Sequence, residues 1–391
     1  MTKIGTLFLL IFGFCHIYAQ NRFVYMGELL PSFTDFNAIR FDGVGEIYPE
    51  VSIPIRVKGC YNNERKERDP ATVRDFYVSD CFLRNKIFEY YNIDSCSNLK
   101  FESIQKIVVQ AKIDAINTRL EKEEIDNVTF IMVGYNNHFK NDEDENDCAP
   151  KKLSFLHQKV ETFLSENGKR SLIVEIYWDG TQTESEGIRT ALNFHYASVN
   201  SYWAGLGLRK IVNGLHCKEV KFISHSMGAN VVTECIFNQY SKIKQHTNFA
   251  RELNKLQKEI QPPDKKMTAA LIAPAISGMN TFIDYFETGI KANCTFIIGY
   301  NVNDSILAKK FEKIEKVEPD YFITHFGCTS LGCLKQEITA TEELFCQHNA
   351  KLILIDFSKD INGNPQERHE LIYYLVLPQY DTVLKNLFDI K

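Results

Sequence analysis

Long apolar runs are nearly missing from this chain. One occurs, Ile4 to Ile17, and nothing after it is long and apolar enough to cross a bilayer, which takes about 20 residues. A basic stripe is missing too: the charges are dispersed and sum to -5, which argues against nucleic acid as a partner. There is no Cys-x-x-Cys, and no Cys/His group has the spacing of a zinc site. There is no internal repeat and no low-complexity linker, so solenoids and largely disordered chains are set aside. What is there is core material. With 44% hydrophobic residues in 391, the chain can fill one large α/β domain with additions, or two ordinary domains.

The single apolar run follows Lys3 and ends in Tyr18-Ala19-Gln20. A positive start, a short apolar stretch and a small residue before a polar one describe a secretory signal peptide over residues 1–20. An uncleaved anchor is the competing reading, and Phe14 before Cys15 is too bulky for a lipid-attachment box. The expected location is therefore outside the cytoplasm, periplasmic or extracellular. Removing Cys15 from the 11 cysteines leaves an even number, so disulfides are expected in an exported chain. Local candidates are Cys81 with Cys96 and Cys328 with Cys333. Cys235 and Cys294 sit in apolar segments and read as buried thiols.

Residues 21–125 read as an N-terminal extension: irregular and aromatic-rich at first, with short strands expected at 22–26 and 51–57, then a helix over 98–123 where Phe101, Ile104, Val108 and Ala111 recur at helical spacing. From residue 126 to 391 strands and helices alternate. Strands are expected at 128–133, 172–178, 220–223, 267–272, 294–300 and 351–357. Helices are expected at 152–164, 188–215, 229–243, 280–286 and 305–314, with another opening near His369. Such alternation means βαβ units and a mostly parallel sheet with helices on both faces. In such a sheet, chemistry gathers just beyond the carboxyl ends of the strands.

Ser226 lies there, in Ser224-His225-Ser226-Met227-Gly228, where a strand gives way to a helix. The pattern approximates Gly-x-Ser-x-Gly, a tight turn that needs small flanking residues and exposes the central hydroxyl. The competing role is a plain helix cap for Ser224 or Ser226. A serine nucleophile needs a base, and the base an orienting acid. Of the later histidines, His348 precedes its strand and His325 lies in a poorly patterned region. His369 follows the last strand across a polar loop long enough to reach back. For the acid, Asp304 follows strand 294–300 directly, with Asp284 in reserve. Capping the next helix would use Asp304 at the same position, though not in the same detail. An oxyanion needs two preorganised N–H donors. Met227 supplies one, and Tyr135, after Gly134 in the loop beyond strand 128–133, the other.

Val133-Gly134-Tyr135-Asn136-Asn137, Tyr177-Trp178-Asp179, the elbow, Ala273-Pro274-Ala275 and Asn301-Val302-Asn303-Asp304 together resemble a little-characterised bacterial branch of the alpha/beta-hydrolase superfamily. The resemblance covers about residues 125–380 and implies that fold, a Ser226–Asp304–His369 triad, no cofactor, and a small-molecule or lipid-like acyl substrate. Two positions depart from the family pattern: Val133 stands where a His is usual, and Ser224 where the first Gly is. The substrate bond is then an ester or related acyl group. A peptidase or amidase on the same fold, or a catalytically silent binding module, are the alternatives; no protein partner is assigned.

Other features have bland readings. His225 reads as packing beside the nucleophile, the acidic run Asp142 to Asp147 as a solvated loop, and Phe282 to Phe286 as a packed helix more readily than a lid. Three glycosylation acceptors begin at Asn127, Asn293 and Asn303. The last adjoins the expected acid, which fits a bacterial origin better than a eukaryotic one.

Overall fold

Strands that are apolar along their whole length, with no polar face, must be covered twice. The computed structural model, which describes residues 38–51, 61–62, 67–68, 72–79, 81–94, 99–135, 149–180, 188–239, 247–287, 294–307 and 331–390, has them in one seven-stranded sheet. In chain order the strands are β1 (Ala38–Phe41), the small antiparallel pair β2 (Tyr61–Asn62) and β3 (Glu67–Arg68), β4 (Asn127–Met132), β5 (Leu172–Trp178), β6 (Glu219–His225), β7 (Lys266–Ile272), β8 (Cys294–Tyr300) and β9 (Leu352–Asp356). The main sheet runs β1-β5-β4-β6-β7-β8-β9, and every neighbouring pair is parallel.

The helices are α1 (Val73–Ser79), α2 (Cys81–Tyr90), α3 (Phe101–Glu123), α4 (Ala149–Glu166), α5 (Ile188–Gly214), α6 (Gly228–Ile236), α7 (Thr247–Glu259), α8 (Gly278–Glu287), α9 (Lys335–Gln347), α10 (Leu371–Leu375) and α11 (Pro378–Leu387). The connection β4–α4–β5 moves one way along the sheet, and every later crossover moves the other way. Parallel crossovers are right-handed, so α4 covers one face and α5, α6, α8 and α9 the other. Packing agrees: α10 and α11 meet α4, whereas α5 packs on α6 and α8 on α9. The direction reverses between β4 and β6, and that crevice, at the strands' carboxyl ends, is where such sheets place a site.

Several expectations change here. The edge strand β1 comes from the first 125 residues and pairs with β5, so that region shares the sheet and its core. It is anchored by Lys112 of α3, which donates to the Ala38 carbonyl at 3.1 Å and pairs with Glu50. The helix expected over 229–243 ends at Ile236, because Phe237 turns extended. Beneath that end Arg209 of α5, fully buried, donates to the carbonyls of Glu234, Cys235 and Ile260 and to Asn238 Oδ1. Glu234, also fully buried, accepts from Gln257 at 2.8 Å and from the Gln239 amide at 3.1 Å. Burial pushes its carboxyl up to about 7, against the pull of Arg209. Helices α7 and α9 were not foreseen.

Phe282 and Tyr285 of α8 are buried edge-to-face against Phe296 of β8, so this stripe is core and not a lid. Cys235 and Cys294 are buried thiols, and burial pushes the Cys235 thiol up to about 12. Cys81 is a free thiol. Residues 1–20, the strand at 22–26, most of that at 51–57, Cys96, Cys328, the acidic run at 142–147, Asn293, His325 and most of the helix at 305–314 lie outside the described residues. Among those described, no helix is long and apolar enough to cross a membrane.

Candidate active site

The elbow is built by the ends of two strands. Ser226 follows β6 directly and has φ +55°, a left-handed conformation that costs a non-glycine residue energy and persists only where the surroundings enforce it. They do so here through backbone bonds: Ser226 N–H donates to the Ile272 carbonyl at 2.9 Å, and the Ser226 carbonyl accepts from Ala229 and Ala275. The turn leaves no room beside it. A Cβ on Gly228 would lie 3.1 Å from the Val133 carbonyl oxygen. The cap reading fails for both serines. The residue preceding α6 is Met227, and no side chain caps that helix; Ser224 Oγ, fully buried, has no hydrogen-bond partner.

Ser226 Oγ lies 2.8 Å from His369 Nε2, and His369 Nδ1 lies 2.7 Å from Asp304 Oδ2. A carboxylate only accepts, so Nδ1 carries the proton toward Asp304, and Nε2 is left to accept from the serine hydroxyl. These residues come from the ends of β6, β8 and the segment after β9, and are separated by up to 143 positions. Asp304 is fully buried and divides its oxygens. Oδ1 accepts the amides of Ile306 and Leu307 at 3.0 Å each, while Oδ2 faces His369. The turn-capping role and the His-facing role thus coincide on one residue, one oxygen each. Asp284, the reserve, is buried within α8.

The segment carrying His369 is stapled down. Ser305 donates twice to the Glu367 carbonyl, and Asn301 Nδ2 donates to the Gln366 carbonyl at 2.8 Å. Asn303 Nδ2 donates to the Ser358 carbonyl at 2.8 Å, so the amide of that glycosylation motif is already engaged. His225 reaches across from β6: its Nε2 lies 2.7 Å from the His369 carbonyl and its ring 4.8 Å from the His369 ring. Facing a carbonyl, that nitrogen must donate. Burial, then the neighbouring His369, lowers its basicity, so His225 is a neutral strut. His348 stands at the opposite, amino edge of the sheet, stacked 4.0 Å from the Phe286 ring.

Gly134 brings the loop after β4 onto the elbow. A Cβ there would fall 2.6 Å from Ser226 Cβ, 2.9 Å from Met227 N and 3.0 Å from the His225 carbonyl oxygen. Only glycine permits this approach. The loop is held from the other side by Trp178, whose indole N–H donates to the Val133 carbonyl at 2.8 Å. The backbone of Gly134, one residue before Tyr135, therefore lies against that of Met227, beside the serine hydroxyl.

Two residues that sequence reasoning missed complete the arrangement. Tyr374 of α10, fully buried, donates its hydroxyl to Asp304 Oδ2 at 2.9 Å. Asn301 Nδ2 donates to that hydroxyl at 3.1 Å. Their only trace in the sequence is position: Asn301 opens the turn that ends in Asp304, and Tyr374 lies five positions beyond His369, within α10. Among the described residues no group of three or more His, Cys, Asp or Glu side chains is placed to hold a metal. Comparison of the chain with protein-family models finds no match, and a search of curated proteins finds no similar sequence.

Proposed function

We propose that this protein is a serine hydrolase of the alpha/beta-hydrolase superfamily that cleaves an ester or related acyl bond through an acyl-enzyme. The observation that carries this reading is the unbroken relay from Ser226 Oγ to His369 to Asp304, with contacts of 2.8 and 2.7 Å, on a serine held at positive φ. The succession of site segments after β4, β6, β8 and β9 also supports it.

In the reaction, Ser226 Oγ attacks the carbonyl carbon as its proton passes to His369 Nε2. Asp304 stabilises the imidazolium, and the amides of Met227 and Tyr135 receive the oxyanion. Collapse breaks the bond to the leaving group, which takes the proton from His369. Water, deprotonated by His369, then attacks the acyl-serine, releasing the acid and restoring Ser226. With residues 1–20 read as a signal peptide, this chemistry takes place outside the cytoplasm.

A fluorophosphonate probe tests the reading. Wild type should label and Ser226→Ala should not. A chain that ignores the probe in both forms would be a silent binding module on a hydrolase-like scaffold. A panel of p-nitrophenyl esters and peptide anilides separates esterase from peptidase or amidase.

A further inference from the structure

The carboxylate of Asp304 carries more donors than orienting a histidine requires. Two backbone amides fix Oδ1. On Oδ2 the His369 N–H, at 2.7 Å, shares the oxygen with the Tyr374 hydroxyl, at 2.9 Å. The direction of the tyrosine bond is set by its neighbour. Asn301 Oδ1 accepts the Asn303 amide at 3.0 Å, so Asn301 presents its NH₂ to Tyr374. The phenolic oxygen must accept that N–H, and its own proton is left for Asp304. The ring is clamped as well, lying 5.4 Å from Phe357 and 5.8 Å from His225 between ring centres.

We propose that Tyr374 is a positioning residue for the triad: its hydroxyl, oriented by Asn301, fixes the Asp304 carboxylate and draws negative charge away from the oxygen that faces His369, so that His369 stays neutral and able to accept the serine proton. This rests on the hydrolase reading above. The physics is competition for one acceptor. Every donor on a carboxylate reduces the charge available to the others, and a histidine facing a less basic carboxylate is less easily protonated. Burial, and then the negative Asp304, hold the Tyr374 hydroxyl well above its ordinary range, so it remains a donor over the working pH.

The other groups around His369 do not duplicate this effect. His225, on β6, is neutral and bonds the His369 carbonyl, not the ring. Lys152, on α4, acts on His225. In the His369 segment itself, Glu370 follows the histidine, Arg368 lies over the Tyr373 ring, and Glu367 offers its carbonyl to Ser305.

Tyr374→Phe removes the one proton and keeps the ring packing. The pH dependence of fluorophosphonate labelling should then shift: its acid limb rises by about 0.5 to 1 pH unit, the share of one charge-assisted hydrogen bond. The His369 ring protons, followed by NMR, should titrate higher by the same amount. Replacing Tyr374 with 3-fluorotyrosine, a stronger donor of nearly the same shape, should move both midpoints down. A purely structural role for Tyr374 would lower the labelling rate and leave both midpoints in place, and that result, or shifts of the opposite sign, overturns the proposal. If wild type does not label at all, the hydrolase reading fails, and the NMR titration still decides whether Tyr374 governs His369.

Discussion

Substituting Gly134 by alanine adds one methyl group at the point where two loops meet. The new Cβ would sit 2.6 Å from Ser226 Cβ and 2.9 Å from Met227 N. Carbon atoms settle at about 3.5 Å or more, so the two loops must separate by roughly 0.9 Å, the difference between 3.5 and 2.6. Neither yields cheaply. The elbow is tied to β7 through Ile272 and Ala275, and the facing loop is tied to Trp178. Overpacking of this kind costs about 1–3 kcal/mol of stability, which a chain of this size survives. Catalysis is less tolerant. A misplacement of about 1 Å costs on the order of 10²-fold, and loss of one oxyanion donor about 10²–10³-fold. Gly134→Ala should therefore fold, melt a few degrees lower, and label with fluorophosphonate at least about 100-fold more slowly than wild type. The rate constant from a labelling time course, beside a thermal melt of the same sample, measures both. Labelling within a factor of about three of wild type, in a folded variant, would falsify the placement of the oxyanion donors between these loops.

His369→Ala should lose about 10²–10⁴-fold in ester turnover, the usual worth of a placed proton carrier, with its melting temperature little changed; turnover at the wild-type rate refutes the assignment of the base. Asp304→Asn keeps the shape but presents a neutral amide to His369, so kcat should fall by roughly 10⁴-fold, and a fall below tenfold would remove Asp304 from the relay. Glu234→Ala leaves the buried Gln257 side chain and the Gln239 amide without their acceptor and should cost about 1–3 kcal/mol for each in urea unfolding. Because the Glu234 carboxyl is raised to about 7 in the folded chain, the native state binds its proton more tightly than the unfolded state does. Wild type should then lose stability relative to Glu234→Gln as pH rises from about 4.5 through 7, and parallel melts that never diverge across that range would contradict the shift.

The strands were legible in the sequence where both faces are buried. The runs at 172–178 and 294–300 have the same bounds in the structure, because an uninterrupted apolar run has no other stable placement. The four-residue edge strand β1, with Arg40 in its middle, carries no such signal. Where a helix stops is harder still. The pattern continues past Ile236, but the chain leaves the helix where Arg209, 25 positions away, takes up the carbonyl of Glu234. The meeting of Ser226, Asp304 and His369 was legible because each follows its strand, so chain order alone placed them on one edge. Tyr374 and Asn301 were not, since a buried tyrosine in Leu371–Leu375 looks like any core residue until its hydroxyl is seen to end on Asp304.

Val133 and Ser224, the two positions that differ from the pattern the sequence resembles, are accommodated because of which atoms hold the loops. What fixes the chain after β4 is the Val133 carbonyl, taken by Trp178, and the missing side chain at Gly134. Neither depends on what residue 133 carries beyond its backbone, so a valine, 4% exposed and packed in the core, is accommodated there. At 224 the constraint is size. A Cβ on Gly228 would lie 3.1 Å from both the Val133 carbonyl oxygen and Met132 Cγ, and at an ordinary 3.4 Å from Ser224 Cβ, so it is the end of β4 and the loop after it, and not Ser224, that keep position 228 bare. Ser224 fits in the elbow, fully buried, with its hydroxyl left without a partner. Ser224→Gly should accordingly preserve labelling, whereas Gly228→Ala should not, and the double variant Ser224→Gly/Gly228→Ala should label no faster than Gly228→Ala alone, because the Val133 carbonyl and Met132 remain in place; restored labelling in the double variant would refute this account.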